Sequence, residues 1–140
     1  MLEDKRDRIA AFQTAVSGLP DCEIVIWRNA PDMIAEVSGH LPSASLISLD
    51  HDLVQDPGDP DPGDGLQVAE ALAKHDPVCT VILHSTNRDR VYSMVRELED
   101  GGWTTLRVAP VGMGEDWNPS VWLPKVKDLL AEQTDGRTNH

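Results

Sequence analysis

Two apolar runs that each end abruptly in titratable side chains constrain the fold of this chain most. They are residues 46–49, followed by Asp50, His51 and Asp52, and residues 81–83, followed by His84, Ser85, Thr86 and Asn87. Runs of this kind are typical of buried parallel strands that reach the open edge of a sheet. Because ligands bind at the carboxyl ends of strands in open α/β sheets, the two strand ends are predicted to form one site.

Segments with the apolar spacing of amphipathic helices alternate with these strands. The predicted helices are residues 4–17, a helix capped by Asn29 and closed by Pro42, residues 66–75, a helix spanning 91–98 and ended by Gly101-Gly102, and residues 120–132; the further strands are 23–27 and 103–108. The helix after Asn29 is expected to bury Ile34, Val37 and Leu41. Alternating strands and helices imply right-handed crossovers and a mainly parallel sheet covered on both faces. We therefore expect one α/β domain over residues 1–133 and a flexible tail over 134–140.

Charge restricts the classes of partner. The chain has 12 Lys and Arg against 24 Asp and Glu, and its net charge of −12 repels nucleic-acid phosphates, so bulk DNA or RNA binding is not expected. The net charge does not exclude a small phosphorylated ligand in a pocket, since a few hydrogen-bond donors and a metal ion outweigh the electrostatic field of distant carboxylates. The apolar runs are too short for a membrane span or a signal peptide, which predicts a cytoplasmic protein. Cys22 and Cys79 are isolated and are expected to be reduced thiols.

Several of these residues together resemble a known family. The acidic pair Glu3-Asp4, the strand-terminal Asp50, Asp64-Gly65 and Ala109-Pro110 resemble response-regulator receiver domains. The stretch Ser48-Leu49-Asp50-His51-Asp52-Leu53, the Asp-Gly pair and His84-Ser85-Thr86-Asn87 look more closely like the cyclic-phosphate-processing receiver domains. This resemblance implies a receiver-like, flavodoxin-like three-layer sandwich with strand order 2-1-3-4-5, and a small phosphorylated or cyclic-phosphate ligand.

The sequence departs from the family pattern at two places. The resemblance implies a central first strand that ends in the acidic pair and is followed by a basic residue, here Arg8, yet only Met1 and Leu2 precede Glu3. The first strand is thus truncated or missing, and either a two-residue stub completes the sheet or the native start lies upstream. Ordinary receivers hold a phosphoryl group with a Lys before the proline, where this chain has Ala109. Phosphorylation of Asp50, which stands at the acceptor position, is correspondingly less favoured.

The strand-end residues fit the chemistry of cyclic-phosphate hydrolysis. That reaction needs a base to activate water, an acid to protonate the leaving oxygen and positive charge at the phosphate oxygens. His51 and His84 can divide the first two roles, with Asp50 beside them, and nearby carboxylates favour the imidazolium that acts as the acid. Hard cations prefer oxygen ligands, so Mg²⁺ or Mn²⁺ is the predicted cofactor. The predicted metal ligands are Glu3, Asp4, Asp50 and Asp52.

Further side chains are predicted to hold the ligand. Ser85 and Asn87 lie at the start of a helix, where exposed N–H groups favour anions. The other candidates are Arg8, Arg28 and Trp117, the last of which can stack on a base.

Simpler interpretations stand beside each of these assignments. Asn87 alone is better explained as a helix cap, His84 as a buried structural histidine, His51 as a solvated loop residue, and the four Trp residues as packing. Three functions follow: a metal-assisted phosphoesterase, a regulatory module that binds a phosphorylated ligand or accepts phosphate on Asp50, and a scaffold with a vestigial site.

Overall fold

A parallel sheet of three short strands forms the centre of the protein. The computed structural model describes residues 1–108 and the backbone of residues 119–138, with side chains in the second segment from 121 to 133. The strands are β1 (Ile47–Leu49), β2 (Val81–Leu83) and β3 (Thr105–Arg107), in the order β1-β2-β3. Leu49 pairs with Leu83, and Leu83 pairs with Arg107. The carboxyl ends of β1 and β2 therefore lie side by side, as predicted from their sequences.

The amino-terminal residues form a two-residue stub between β1 and the segment that ends at Trp27. Leu2 makes parallel bridges to both Trp27 and Leu49. The Leu2 amide donates to the Ser48 carbonyl oxygen (2.9 Å), and its own carbonyl accepts from the Asp50 amide (3.1 Å). On its other side the Glu3 amide donates to the Trp27 carbonyl oxygen (3.0 Å). Leu2 thus lies inside the sheet between Trp27 and β1, and Glu3 follows it as Asp50 follows β1.

The predicted strand at residues 23–27 is wrong except at its last residue, where Trp27 makes a single bridge. The stub contacts the end of this segment, where the Met1 amino group donates to the Val25 carbonyl oxygen (2.8 Å) and the Trp27 amide donates to the Met1 carbonyl oxygen (2.9 Å). A cavity of about 410 Å³ lies beside the stub, and its lining includes Val25, Leu46 and Met33. Residues 23–26 therefore lack the bridges that would make them a strand.

Within the described ranges, five α-helices cover the sheet. They are α1 (Arg6–Ser17), α2 (Ala30–His40), α3 (Gly65–Leu72), α4 (Arg88–Asp100) and α5 (Pro119–Thr138), with a short 3-10 turn at Leu41–Ser43. All five correspond to predicted helices. The first begins at Arg6 rather than residue 4, because Glu3 and Asp4 follow the stub. Mobility of the segment from 134 to 140 stays a prediction. No helix in the described part of the chain is both long and apolar enough to cross a membrane.

Alternating side chains of the strands divide the core into two layers. Val81 and Leu83 of β2 pack with α2, α3 and α4, whereas Ile82 packs with α1 and α5. This confirms the predicted three-layer α/β architecture. One assignment within it is wrong: Ile34 is 39% exposed, and Met33 is the buried residue of that turn of α2.

Candidate functional site

Three buried polar side chains meet where the stub, β1 and β2 end. Glu3, Asp50 and His84 are 0%, 6% and 0% exposed, and one potential ligand atom from each lies within 4.8 Å of the other two. We call them the Glu3–Asp50–His84 cluster. Parallel strands bring these three residues together although up to 81 positions separate them in sequence. The sequence prediction that His84 and Asp50 converge at one sheet edge holds in the structure.

Burial and neighbouring charges set the protonation state of each group in the cluster. Burial raises the pKa of the Asp50 carboxyl, and the Glu3 charge raises it further, to about 8, so Asp50 holds a proton at neutral pH. Burial also acts to raise the pKa of Glu3, but its contacts with His84 and Arg8 outweigh that effect and lower it. Burial lowers the pKa of His84 despite the Glu3 carboxylate, so its imidazole is neutral. The cluster therefore combines one carboxylate, one carboxylic acid and one neutral imidazole.

Glu3 is held at several points. Its Oε2 accepts hydrogen bonds from the backbone amides of Asp4 (3.0 Å) and Lys5 (3.3 Å). Its Oε1 lies 3.5 Å from the Arg8 guanidinium and 3.4 Å from His84 Nε2. Arg8, predicted as a ligand-binding residue, thus pairs with the buried acid.

His84 is fixed on its other side by two residues that sequence reasoning did not single out. Its Nδ1 lies 2.7 Å from Ser48 Oγ, and the Trp122 indole Nε1 donates to the same oxygen at 3.1 Å. Phe12 packs against the His84 ring, with centroids 5.3 Å apart. Ser48 was recognisable as the one polar residue inside an apolar strand. Trp122 gave no such signal, since its partner is 74 positions away.

A second group lies nearer the surface, at the residue after Asp50. His51 Nδ1 is 2.7 Å from Asp52 Oδ1, and Asn87 Nδ2 donates to both Asp52 oxygens at 3.3 Å. We call His51 and Asp52 the His51–Asp52 dyad. The His51 side chain is 7% exposed and that of Asp52 67% exposed, so the dyad has one buried and one solvent-facing member. Burial acts to raise the pKa of Asp52, but the bonds from His51 and Asn87 lower it overall.

The second nitrogen of His51 is aimed toward the start of α3. His51 Nε2 is buried and has no hydrogen-bond partner among the described residues, and Asp64 Oδ2 lies 3.9 Å from it. Asp64 caps α3 by accepting from the Gln67 amide (3.0 Å). Sequence analysis placed Asp64 only as part of an Asp-Gly pair, and its position near His51 depends on the tertiary fold.

Gly65 explains why glycine follows Asp64. The Gly65 amide donates to the His51 carbonyl oxygen (3.0 Å), and a Cβ at this position would lie 2.0 Å from the Asp50 carbonyl oxygen. Helix α3 can therefore approach the end of β1 closely only with glycine here.

The remaining predicted residues lie beside these two groups. Asp4 Oδ2 accepts from the Val54 amide (2.6 Å), and the Asp4 carbonyl oxygen accepts from Arg28 Nη2 (3.3 Å). Ser85 is buried, and its hydroxyl oxygen accepts from the Asn87 amide (3.2 Å). Asn87 also caps α4, as its simpler interpretation predicted. Trp117, Ala109 and Pro110 lie outside the described residues.

The predicted metal ligands thus divide between the two groups. Glu3 and Asp50 lie together with His84, whereas Asp52 belongs to the dyad and Asp4 contacts the following loop. The histidines divide likewise, with His84 in the buried cluster and His51 in the dyad. A backbone contact joins the groups, because the His51 amide donates to Asp50 Oδ1 (2.8 Å).

Comparisons with known proteins agree with this fold. A protein-family model described as "Cyclic-phosphate processing Receiver domain" matches residues 1–100, a range that includes both groups. The signal receiver domain of a modulated diguanylate cyclase from Desulfovibrio desulfuricans G20 has a similar fold, with a TM-score of 0.56 over 95% of this chain and 92% of that one. Sequence identity to it is 12%, so this likeness concerns the fold alone. No curated protein matches the sequence.

Proposed function

The chain belongs to the cyclic-phosphate-processing receiver domains, and from that premise we propose that it hydrolyses a cyclic phosphodiester at the carboxyl ends of its strands with the help of a divalent cation. The observation that carries the proposal is the His51–Asp52 dyad. Its 2.7 Å contact occupies His51 Nδ1, and the other ring nitrogen, Nε2, has no hydrogen-bond partner among the described residues. A histidine oriented by a carboxylate is the usual form of a general base.

The donor set of the Glu3–Asp50–His84 cluster fits a divalent cation. Two carboxyl groups offer hard oxygen ligands, and an imidazole adds a nitrogen, a combination that suits Mn²⁺ better than Mg²⁺. Asp50 holds a proton at neutral pH because the site is buried and lies beside the Glu3 carboxylate, and a bound cation would take the place of that proton. A bound cation would supply positive charge for the phosphate oxygens.

The dyad supplies the proton transfers in this scheme. His51 Nε2 takes a proton from water while Nδ1–H donates to Asp52, and the water oxygen forms a bond to phosphorus as the bond from phosphorus to one ring oxygen breaks. The protonated His51 then gives that proton to the leaving oxygen. The product is a ring-opened phosphomonoester, and the dyad returns to its starting state.

The start of α4 is suited to hold the ligand. Ser85 and Asn87 lie there beside the dyad, and the exposed amides of a helix start favour anions. Asn87 donates to Asp52 in this structure, so a bound phosphate would compete for its Nδ2 group. Arg28 and Trp117 stay predicted ligand contacts.

A regulatory binding module is the second candidate, and burial favours it. His84, Asp50 and His51 are 0%, 6% and 5% exposed, which limits direct contact of all three with a ligand. Protonation of Asp50 at neutral pH also weakens it as a phosphate acceptor. This module would bind a cyclic phosphate tightly and return it unchanged.

Phosphorus NMR of the protein with 2′,3′-cyclic mononucleotides, with and without the diamagnetic Mg²⁺, tests the proposal, and reactions run with Mn²⁺ are stopped with EDTA before the spectrum is recorded. We expect conversion to a monophosphate that falls at least about 100-fold in His51→Ala, the usual contribution of a general acid–base group. His75→Ala is the matched control, since His75 is exposed at the end of α3 and should keep full turnover. A shifted signal without conversion would instead support the binding module. Equal turnover in both variants would refute the role of the dyad.

A further inference from the structure

We propose that Ser48, anchored by Trp122, is a positioning residue that lets His84 present Nε2 to a cation in the Glu3–Asp50–His84 cluster. The inference rests on the cation site of the proposed function and assigns its supporting contacts. Ser48 and Trp122 are each 3% exposed. Ser48 Oγ lies 2.7 Å from His84 Nδ1 and 3.1 Å from Trp122 Nε1, so a chain of hydrogen bonds runs from α5 to the cluster.

The donors and acceptors of Trp122, Ser48 and His84 limit how their hydrogen bonds can be arranged. An indole Nε1–H is only a donor, so Trp122 always uses one lone pair of Ser48 Oγ. The hydroxyl then has one hydrogen and one lone pair left for His84 Nδ1. Ser48 can therefore either donate to Nδ1 or accept from it while its bond from Trp122 stays unchanged.

These two arrangements match two states of the cluster. Without a cation, the Glu3 carboxylate 3.4 Å from Nε2 favours a proton on that nitrogen, and Ser48 donates to Nδ1. With a cation, Nε2 must offer its lone pair, so the proton moves to Nδ1 and Ser48 accepts it. Histidines that bind metals usually donate their other N–H to such a partner, which fixes the ring and its tautomer.

The surroundings hold the ring in place during this exchange. Phe12 packs against the His84 ring at 5.3 Å and against Trp122 at 4.8 Å. Both tautomers thus keep the same ring position and the same number of hydrogen bonds to Ser48. An alanine at position 48 would leave Nδ1 and the indole N–H without this buried partner in either state.

Titration calorimetry with Mn²⁺ provides the first test. We expect Ser48→Ala to lower Mn²⁺ affinity by about 10- to 100-fold, the range found for lost second-layer partners of metal ligands. Ser45→Ala, an exposed serine on the same segment, is the control and should bind as the wild type does. Circular dichroism checks that each variant is folded, and Trp122→Phe, which keeps an aromatic ring but removes the donor, should weaken binding by a smaller factor.

Nitrogen-15 NMR of His84 provides the second test, independent of turnover. The wild type is expected to carry its proton on Nε2 without metal and on Nδ1 with Zn²⁺, a diamagnetic ion that imidazole binds well. Wild-type Mn²⁺ affinity in folded Ser48→Ala, or one tautomer in both states, would overturn the inference. Cation binding with the tautomer change but without hydrolysis would leave it standing and refute only the phosphoesterase. A wild type that binds no cation would overturn both.

Discussion

Gly65→Ala tests how closely α3 must approach the end of β1. The added Cβ would lie 2.0 Å from the Asp50 carbonyl oxygen, 2.9 Å from His51 Cα and 2.8 Å from Met94 Cε. The first two contacts are with backbone atoms, which cannot rotate away as a flexible side chain would. The start of α3 must therefore move away from the strand, by about 1.4 Å to restore an ordinary contact of 3.4 Å.

This movement has a calculable effect on stability. Overpacking of a tight contact costs about 1–3 kcal/mol. Loss of the 3.0 Å hydrogen bond from the Gly65 amide to the His51 carbonyl oxygen adds about 1 kcal/mol. We expect a loss of about 3 kcal/mol in the free energy of unfolding, which for a domain of this size lowers Tm by about 10 °C.

Urea unfolding followed by circular dichroism measures the effect. Gly39→Ala is the matched control, because Gly39 lies within α2 and a Cβ there would meet nothing within 4 Å. That variant should gain about 0.5–1 kcal/mol, since alanine forms helix better than glycine. Equal midpoints for wild type and Gly65→Ala would refute the close approach and, with it, the explanation of the Asp-Gly pair.

Two further predictions concern the charges and caps of the site. The pKa of Asp50, raised by burial and then by Glu3 from 3.8 to about 8, means that the folded state binds this proton more tightly than the unfolded chain. The Asp50 contribution to the free energy of unfolding should fall as pH rises from about 4 to about 8, whereas the buried Met1 amino group, whose pKa is lowered to about 5, and His84, whose pKa is also lowered, contribute in the opposite direction. The difference between wild type and Asp50→Asn isolates the Asp50 contribution, so parallel pH series of the two proteins in urea unfolding would contradict the shift. Asn87→Ala should cost about 1 kcal/mol as a lost cap and about as much as Asn29→Ala, because the Asn87 amide group also donates to Asp52 and the Asn29 amide group also donates to Asp32; an unchanged midpoint of denaturant unfolding in Asn87→Ala would argue against the cap.

Local sequence patterns were sufficient to predict most of the fold. The apolar runs identified β1 and β2, and helical spacing with capping residues identified all five helices, since both signals depend on neighbouring residues. The predicted strand at 23–27 is wrong because pairing depends on the partner strand, and Leu2 offers a partner only at Trp27. The prediction that Ile34 is buried is wrong because only one of two adjacent positions in α2 can face the sheet, and Met33 occupies that position.

The candidate site was predictable only in part, for the same reason. Parallel strand ends imply that Asp50 and His84 converge, but nothing local indicates that Ser48 contacts His84, 36 positions away, or that Trp122 bonds Ser48, 74 positions away. The sequence also carried no sign that the predicted acidic metal ligands would lie in two separate groups. Asp50 and Asp52 are two positions apart, yet one turns into the buried cluster and the other toward solvent, with 6% and 67% exposure.

That division explains how one strand end can serve two chemical purposes. The backbone turns after β1, so Asp50 faces the low-dielectric interior, where a charge interacts strongly, and Asp52 faces water, where a carboxylate stays ionised and can orient His51. The His51 amide bonds to Asp50 Oδ1 at 2.8 Å, and this bond is stronger when Asp50 is ionised than when it holds its proton. A change of charge in the buried cluster would therefore change the strength of a hydrogen bond to the backbone that carries the dyad.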